Sequence, residues 1–174
     1  MSKRVKAQTS KRTRKAFAVE DTYWQHQIRD LGRKVLYVDS GAVLECLNPE
    51  DERFSAFFDS VVGDRLVTSS YVVAETVRRL VKSKPNQFSG PAGQQASELA
   101  VHFLRCWLEE RNVSILHIPQ EVFDAARKEF ERKKRIGCDL TDVISYVIVV
   151  GLQQTRIVSP DRRHFQSLAL TCLP

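Results

Sequence analysis

Asp39, Glu75, Asp142 and Asp161 each stand beside or inside a short apolar run, and they are the side chains of this sequence best placed to do chemistry. Asp39 closes VLYV at 35–38, whose β-branched and aromatic content suits a buried strand. Glu75 and Asp142 fall within helical patterns, while Asp161 follows RIVS at 156–159 and a turn at Pro160. In an open α/β sheet, ligands bind beyond the carboxyl ends of the strands, where the strand order reverses. Acids collected there repel one another and persist as anions around a cation. Oxygen donors without His or Cys suit one or two Mg²⁺ or Mn²⁺ ions rather than zinc. Two such ions can activate a water and stabilise the leaving oxygen of an in-line displacement, which points to phosphate chemistry.

Each acid also has a plainer reading. Asp39 could cap the next helix, although Ser40 and Gly41 allow close backbone approach at a site. Glu75 lies near a helix N-terminus, where it could answer the dipole. Asp142 projects from an otherwise apolar helix on the face of Ser145, Tyr146 and Val149, where unpaired burial would be costly. Asp139 fits an N-cap better than a ligand, or serves as a supporting acid. Asp161 could cap a helix through His164 and Phe165, with Ser159 placed to orient a carboxylate.

The elements that must position these residues alternate. Strands are expected at 35–38, 66–68, 113–118, 156–159 and 168–173. Helices are expected at 41–47, 54–62, from Ser69 or Ser70 to an end before Lys84-Pro85, 94–111, from Pro119 onward, and 140–152. Such alternation implies βαβ units and an α/β fold with a mostly parallel sheet covered by helices on both faces. The stretch 85–93 reads as a loop. Residues 1–33 form a basic arm, partly disordered and helical at 19–31, ahead of a folded domain at 34–174.

Charge is unevenly spread. Residues 1–34 carry ten Lys or Arg against three acids, leaving 17 basic and 18 acidic groups in the remainder of a chain of net charge +6. The arm, including Lys11, Arg12, Arg14 and Lys15, suits sequence-independent attraction to a phosphate backbone, or simple solvation. Cys46, Cys106, Cys138 and Cys172 form no CxxC pair and have no His at ligand spacing, so neither zinc nor a disulfide framework is expected. No apolar stretch is long enough to cross a bilayer, and the first fifteen residues lack a signal-like apolar core. A reducing cytoplasm is the expected compartment.

VLYVDS at 35–40, TSSYVVAET at 68–76, DLTDVISY at 139–146 and IVSPDRRHF at 157–165 together resemble the PIN-domain ribonucleases, most closely the VapC-type toxins of toxin–antitoxin pairs. The resemblance implies a three-layer α/β sandwich and Asp39, Glu75, Asp142 and Asp161 as the catalytic and metal-holding quartet. It also implies Ser159 as a supporting hydroxyl, Mg²⁺-dependent hydrolysis of RNA such as tRNA or mRNA, homodimerisation and a small antitoxin partner. Arg162 and Arg163 could then steer RNA. Two departures stand out: the basic arm ahead of the first strand and the loop at 85–93. A rival reading is a PIN-like scaffold that binds RNA or protein without cutting. An aspartyl-phosphate phosphotransferase is disfavoured because Gly41 stands where a second acid is usual.

Overall fold

In a computed structural model, residues 35–47, 52–82, 96–110, 113–133, 137–152 and 154–174 are described; the basic arm and the 85–93 loop lie outside them. Chain order runs β1 (Val35–Val38), α1 (Ser40–Cys46), α2 (Glu52–Ser60), β2 (Arg65–Ser69), α3 (Ser70–Val81) and α4 (Ala96–Phe103). It continues through β3 (Ser114–Leu116), α5 (Gln120–Lys133), α6 (Leu140–Gly151), β4 (Arg156–Val158), α7 (Arg162–Ser167) and β5 (Thr171–Leu173). The strands form one five-stranded sheet in the order β3-β2-β1-β4-β5. All four pairings are parallel, so the sheet is uniformly parallel.

Because β1 is central and buried on both faces, its four residues divide between two cores. Leu36 and Val38 pack with Phe54, Phe58, Leu80 and Trp107 on one side; Val35 and Tyr37 pack with Val122, Ile144, Ile148 and Phe165 on the other. Successive side chains of a strand point to opposite faces, which is why VLYV must be apolar throughout. The three layers are thus α1, α2, α3 and α4 over one face and α5, α6 and α7 over the other, with the sheet between them.

Most element ends shift by one or two residues from the sequence expectation, and three departures have a visible cause. The 94–111 helix leaves α-geometry after Phe103, and Leu104–Glu110 winds as a π-helix. Its wider turns carry Trp107, whose ring meets Phe58 edge-on at 4.7 Å and 87°. The third strand is confined to Ser114–Leu116, since His117 is exposed and Pro119 follows. The last strand begins only at Thr171: Leu168 caps α7 and Ala169 takes a left-handed φ of 64°, a turn that buries Leu168 and Leu170.

The strand order reverses between β1 and β4. β2 and β3 lie on one side of β1, while β4 and β5 lie on the other. The crevice beyond the carboxyl ends of β1 and β4 is therefore the switch point of the sheet.

Candidate active site

Asp39 is the first residue past β1, held by its N–H donating to the Val158 carbonyl at 3.0 Å. Ser159 extends β4, its N–H donating to the Leu173 carbonyl at 3.3 Å. The two side chains meet: Ser159 Oγ donates to Asp39 Oδ2 at 3.0 Å, and the Asp161 N–H donates to Ser159 Oγ at 3.1 Å. Gly41 permits this approach, because a Cβ there would lie 2.9 Å from both Cδ and Cγ of Pro160. A side chain at position 41 would push the β4–α7 turn, with Ser159 and Asp161, away from Asp39.

Asp39 is buried, with 4% of its surface exposed. Its Oδ2 takes the Ser159 hydroxyl and a long contact from the Gly41 N–H at 3.4 Å. Its Oδ1 is buried without a hydrogen-bond partner among the described residues. Burial pushes this carboxyl up to about 7, the charges of Asp142 and Glu75 add to the rise, and the Ser159 and Ser40 hydrogen bonds oppose it. A buried acceptor left bare among other acids is expensive unless a cation completes it.

Glu75 rides on the second turn of α3, a helix capped by the Ser69 hydroxyl accepting from the Val72 N–H at 3.2 Å. Partial burial raises its pKa, Asp139 adds to the rise, and Arg79, the Ser40 hydroxyl and Arg78 oppose it. Arg79 Nη1 lies 3.9 Å from Glu75 Oε1, one turn on. Ser40 thus serves Glu75 with its side chain and Asp39 with its backbone.

Asp142 and Asp139 form a reciprocal capping box at the start of α6: the Asp142 N–H donates to Asp139 Oδ1 at 2.8 Å, and the Asp139 N–H to Asp142 Oδ2 at 3.1 Å. Burial lifts the Asp142 carboxyl to about 6, with Asp139 and Asp161 adding and the cap and His164 opposing. Asp161 caps α7, accepting from the His164 N–H at 3.3 Å. Capping and clustering are therefore compatible: Asp39, Asp139 and Asp161 are all N-caps, and each also interacts by charge with another acid of the group.

The four acids are coupled electrostatically but do not close on one point. Among the described residues, the three-ligand cluster with donor atoms within 4.8 Å of one another is Cys138, Asp142 and His164, not a trio of the acids. Like charges spread, and both Asp142 and Asp161 face the His164 ring: Nδ1 lies 3.3 Å from Asp142 Oδ2 and 2.7 Å from Asp161 Oδ2. Asp39 Oδ1 is bare and the charges of Asp142 and Glu75 act on it, so these carboxylates fit a hard divalent cation.

Sequence reasoning passed over two contributors. His164 was visible only as the third residue after Asp161, a one-turn spacing that places the two side chains together. Tyr37 read as strand core, yet its hydroxyl is 3.1 Å from Ser145 Oγ and is also bonded by Ser69. It ties β1 to α6 and to the cap of α3, the elements that carry Asp142 and Glu75. Arg162 and Arg163 are exposed on α7 beside Asp161. Lys11, Arg12, Arg14 and Lys15 lie outside the described residues.

Residues 36–169 match the PIN domain, and PIN domains are generally nucleases. None of the curated proteins matches the sequence. Among solved structures, VapC20 of Mycobacterium tuberculosis, a Sarcin-Ricin loop cleaving toxin, is similar with a TM-score of 0.62 at 15% identity, covering 79% of this chain and 97% of that one. VapBC2 of Rickettsia felis, bound to a DNA fragment from its promoter, matches with a TM-score of 0.59 at 14% identity, covering 80% of this chain and 98% of that one. FitAcB of Neisseria gonorrhoeae matches with a TM-score of 0.56 at 14% identity, covering 81% and 97%. No helix among the described residues is long and apolar enough to cross a membrane.

Proposed function

The chain belongs to the PIN-domain family, and from that premise we propose that it is a Mg²⁺- or Mn²⁺-dependent endoribonuclease, the toxin of a VapBC-type pair. The observation that carries the reading is the bare, buried Oδ1 of Asp39 at the sheet's switch point, surrounded by further acids. Asp39, Glu75, Asp142 and Asp161 would hold the cation. When bound, it would polarise a phosphoryl oxygen and make water nucleophilic at neutral pH.

The chain's own groups do the rest. Ser159 occupies Oδ2 of Asp39 and so leaves Oδ1 to face the site. The Asp139–Asp142 box fixes one rotamer of Asp142. A carboxylate of the set accepts the proton lost by the attacking water. Arg162 and Arg163, with the basic arm, attract the RNA backbone. The similar VapBC structures support an antitoxin partner; a homodimer in the cytoplasm completes the reading.

The test is cleavage of end-labelled tRNA and mRNA with Mg²⁺, with EDTA, and by Asp142→Asn. Asn keeps an oxygen for the capping box, so folding is preserved while the charge is lost. Cleavage should need the cation and fall roughly 10²-fold or more in the variant. A folded Asp142→Asn protein that cuts as fast as the parent refutes the assignment.

A further inference from the structure

We propose that Cys138, Asp142 and His164 form a second metal site, selective for thiophilic divalent ions such as Zn²⁺, which shares Asp142 with the acid cluster and so makes such ions inhibitors. The three donor atoms lie within 4.8 Å of one another. A sulfur, an imidazole nitrogen and a carboxylate are a borderline-soft set, unlike a set made of carboxylates alone.

The spacing of the His–Asp pair suits a tetrahedral ion. With bonds of about 2.0–2.1 Å to N and O, two ligands of one zinc stand about 3.3–3.4 Å apart; His164 Nδ1 and Asp142 Oδ2 stand 3.3 Å apart. The Nδ1 atom is buried, and although two carboxylates lie near, it makes no properly aligned hydrogen bond among the described residues. Asp161 Oδ2, 2.7 Å from the same nitrogen, is nearer than two ligands of one zinc stand and so is a neighbour of the ring, not a fourth ligand in this arrangement. Cys138 is buried just ahead of the Asp139 cap, which fixes the approach of the chain to α6. Gly137 precedes it at φ +80°, a left-handed turn that brings the chain back past His164, whose Nε2 would be 4.0 Å from a Cβ there. Binding forms an S–metal bond and releases the thiol proton to solvent. Asp142 cannot serve both ions with its full ligand capacity, so filling this site weakens the other.

The binding claim stands apart from the nuclease reading; the inhibition claim rests on it. The test titrates reduced, EDTA-stripped and desalted full-length protein with Co²⁺, following the thiolate-to-cobalt charge-transfer band in the near ultraviolet. The band should saturate, vanish on adding Zn²⁺, and survive Cys172→Ser. Cys138→Ser and His164→Ala should each weaken Co²⁺ affinity by at least the roughly 10–100-fold that loss of an outer-shell partner costs. Absence of a band, or a band retained in folded Cys138→Ser, overturns the site. In parallel, Zn²⁺ equimolar with the protein should slow Mg²⁺-dependent RNA cleavage by the parent about tenfold. Cys138→Ser, measured against its own zinc-free rate, should resist this inhibition. A band without inhibition overturns the sharing of Asp142. A band in a protein that cuts no RNA under any condition supports the site and counts against the nuclease.

Discussion

Replacing Asp39 by Asn should make the cation-free protein more stable at neutral and alkaline pH while abolishing cleavage. In the folded chain the Asp39 carboxyl is raised from 3.8 to about 7, chiefly by burial. The native state therefore binds this proton more tightly than the unfolded state between those values, and stability falls as pH rises through that window. Below about 4 the group is neutral in both states and costs nothing. Above about 7 the full penalty applies, which at about 1.4 kcal/mol per pH unit is about 4 kcal/mol. Asn keeps an acceptor for the Ser159 hydroxyl and removes the repulsion on Asp142 and Glu75. Allowing for relaxation of the neighbouring acids, a gain of about 2–4 kcal/mol is expected at pH 8, or roughly 5–15 °C in Tm for a domain of this size. Thermal and urea unfolding at pH 4 and pH 8, in EDTA and in Mg²⁺, measure it. The gap between variant and parent should close at pH 4. Added Mg²⁺ should stabilise the parent far more than the variant, because only the parent offers the ion the charged Asp39 carboxylate. A variant no more stable than the parent at pH 8, or a gap equal at both pH values, would show that Asp39 is not a strained, ion-seeking carboxylate.

Three further outcomes follow from the same geometry. Tyr37→Phe removes the hydroxyl shared with Ser145 and Ser69, and should cost about 1–2 kcal/mol by urea unfolding, with a lower cleavage rate as the acid-bearing elements loosen. Gly41→Ala forces a Cβ to 2.9 Å from the stiff Pro160 ring, so about 1–3 kcal/mol of stability should be lost together with cleavage; an active, fully stable variant would contradict this packing. Arg162→Ala and Arg163→Ala should leave stability nearly unchanged, because both side chains are exposed, yet each should reduce the slope of log affinity for RNA against log salt by about 0.7.

The order of alternating strands and helices could be read from the sequence because periodicity and capping are local: VLYV is apolar on both faces, and Ser69 and Asp139 stop and start elements through their own backbone neighbours. The candidate acids were recognisable for the same reason, each being tied to the end of a run. Element ends were less determinate. The π-turns around Trp107 and the left-handed Ala169 answer to Phe58 and to the burial of Leu168 and Leu170, contacts with no local signature.

Sequence alone established which carboxylates sit at element ends, the parallel α/β class and the basic excess of the first 34 residues. Only the tertiary structure decided that Asp39 would be stripped of a partner at Oδ1, that Ser159 would reach it past Gly41, and that Cys138 and His164 would meet across Asp142. Those facts depend on strand order and on the distance between helix termini. Both are set by packing among residues far apart in the chain, and spacing along the chain carries no trace of them.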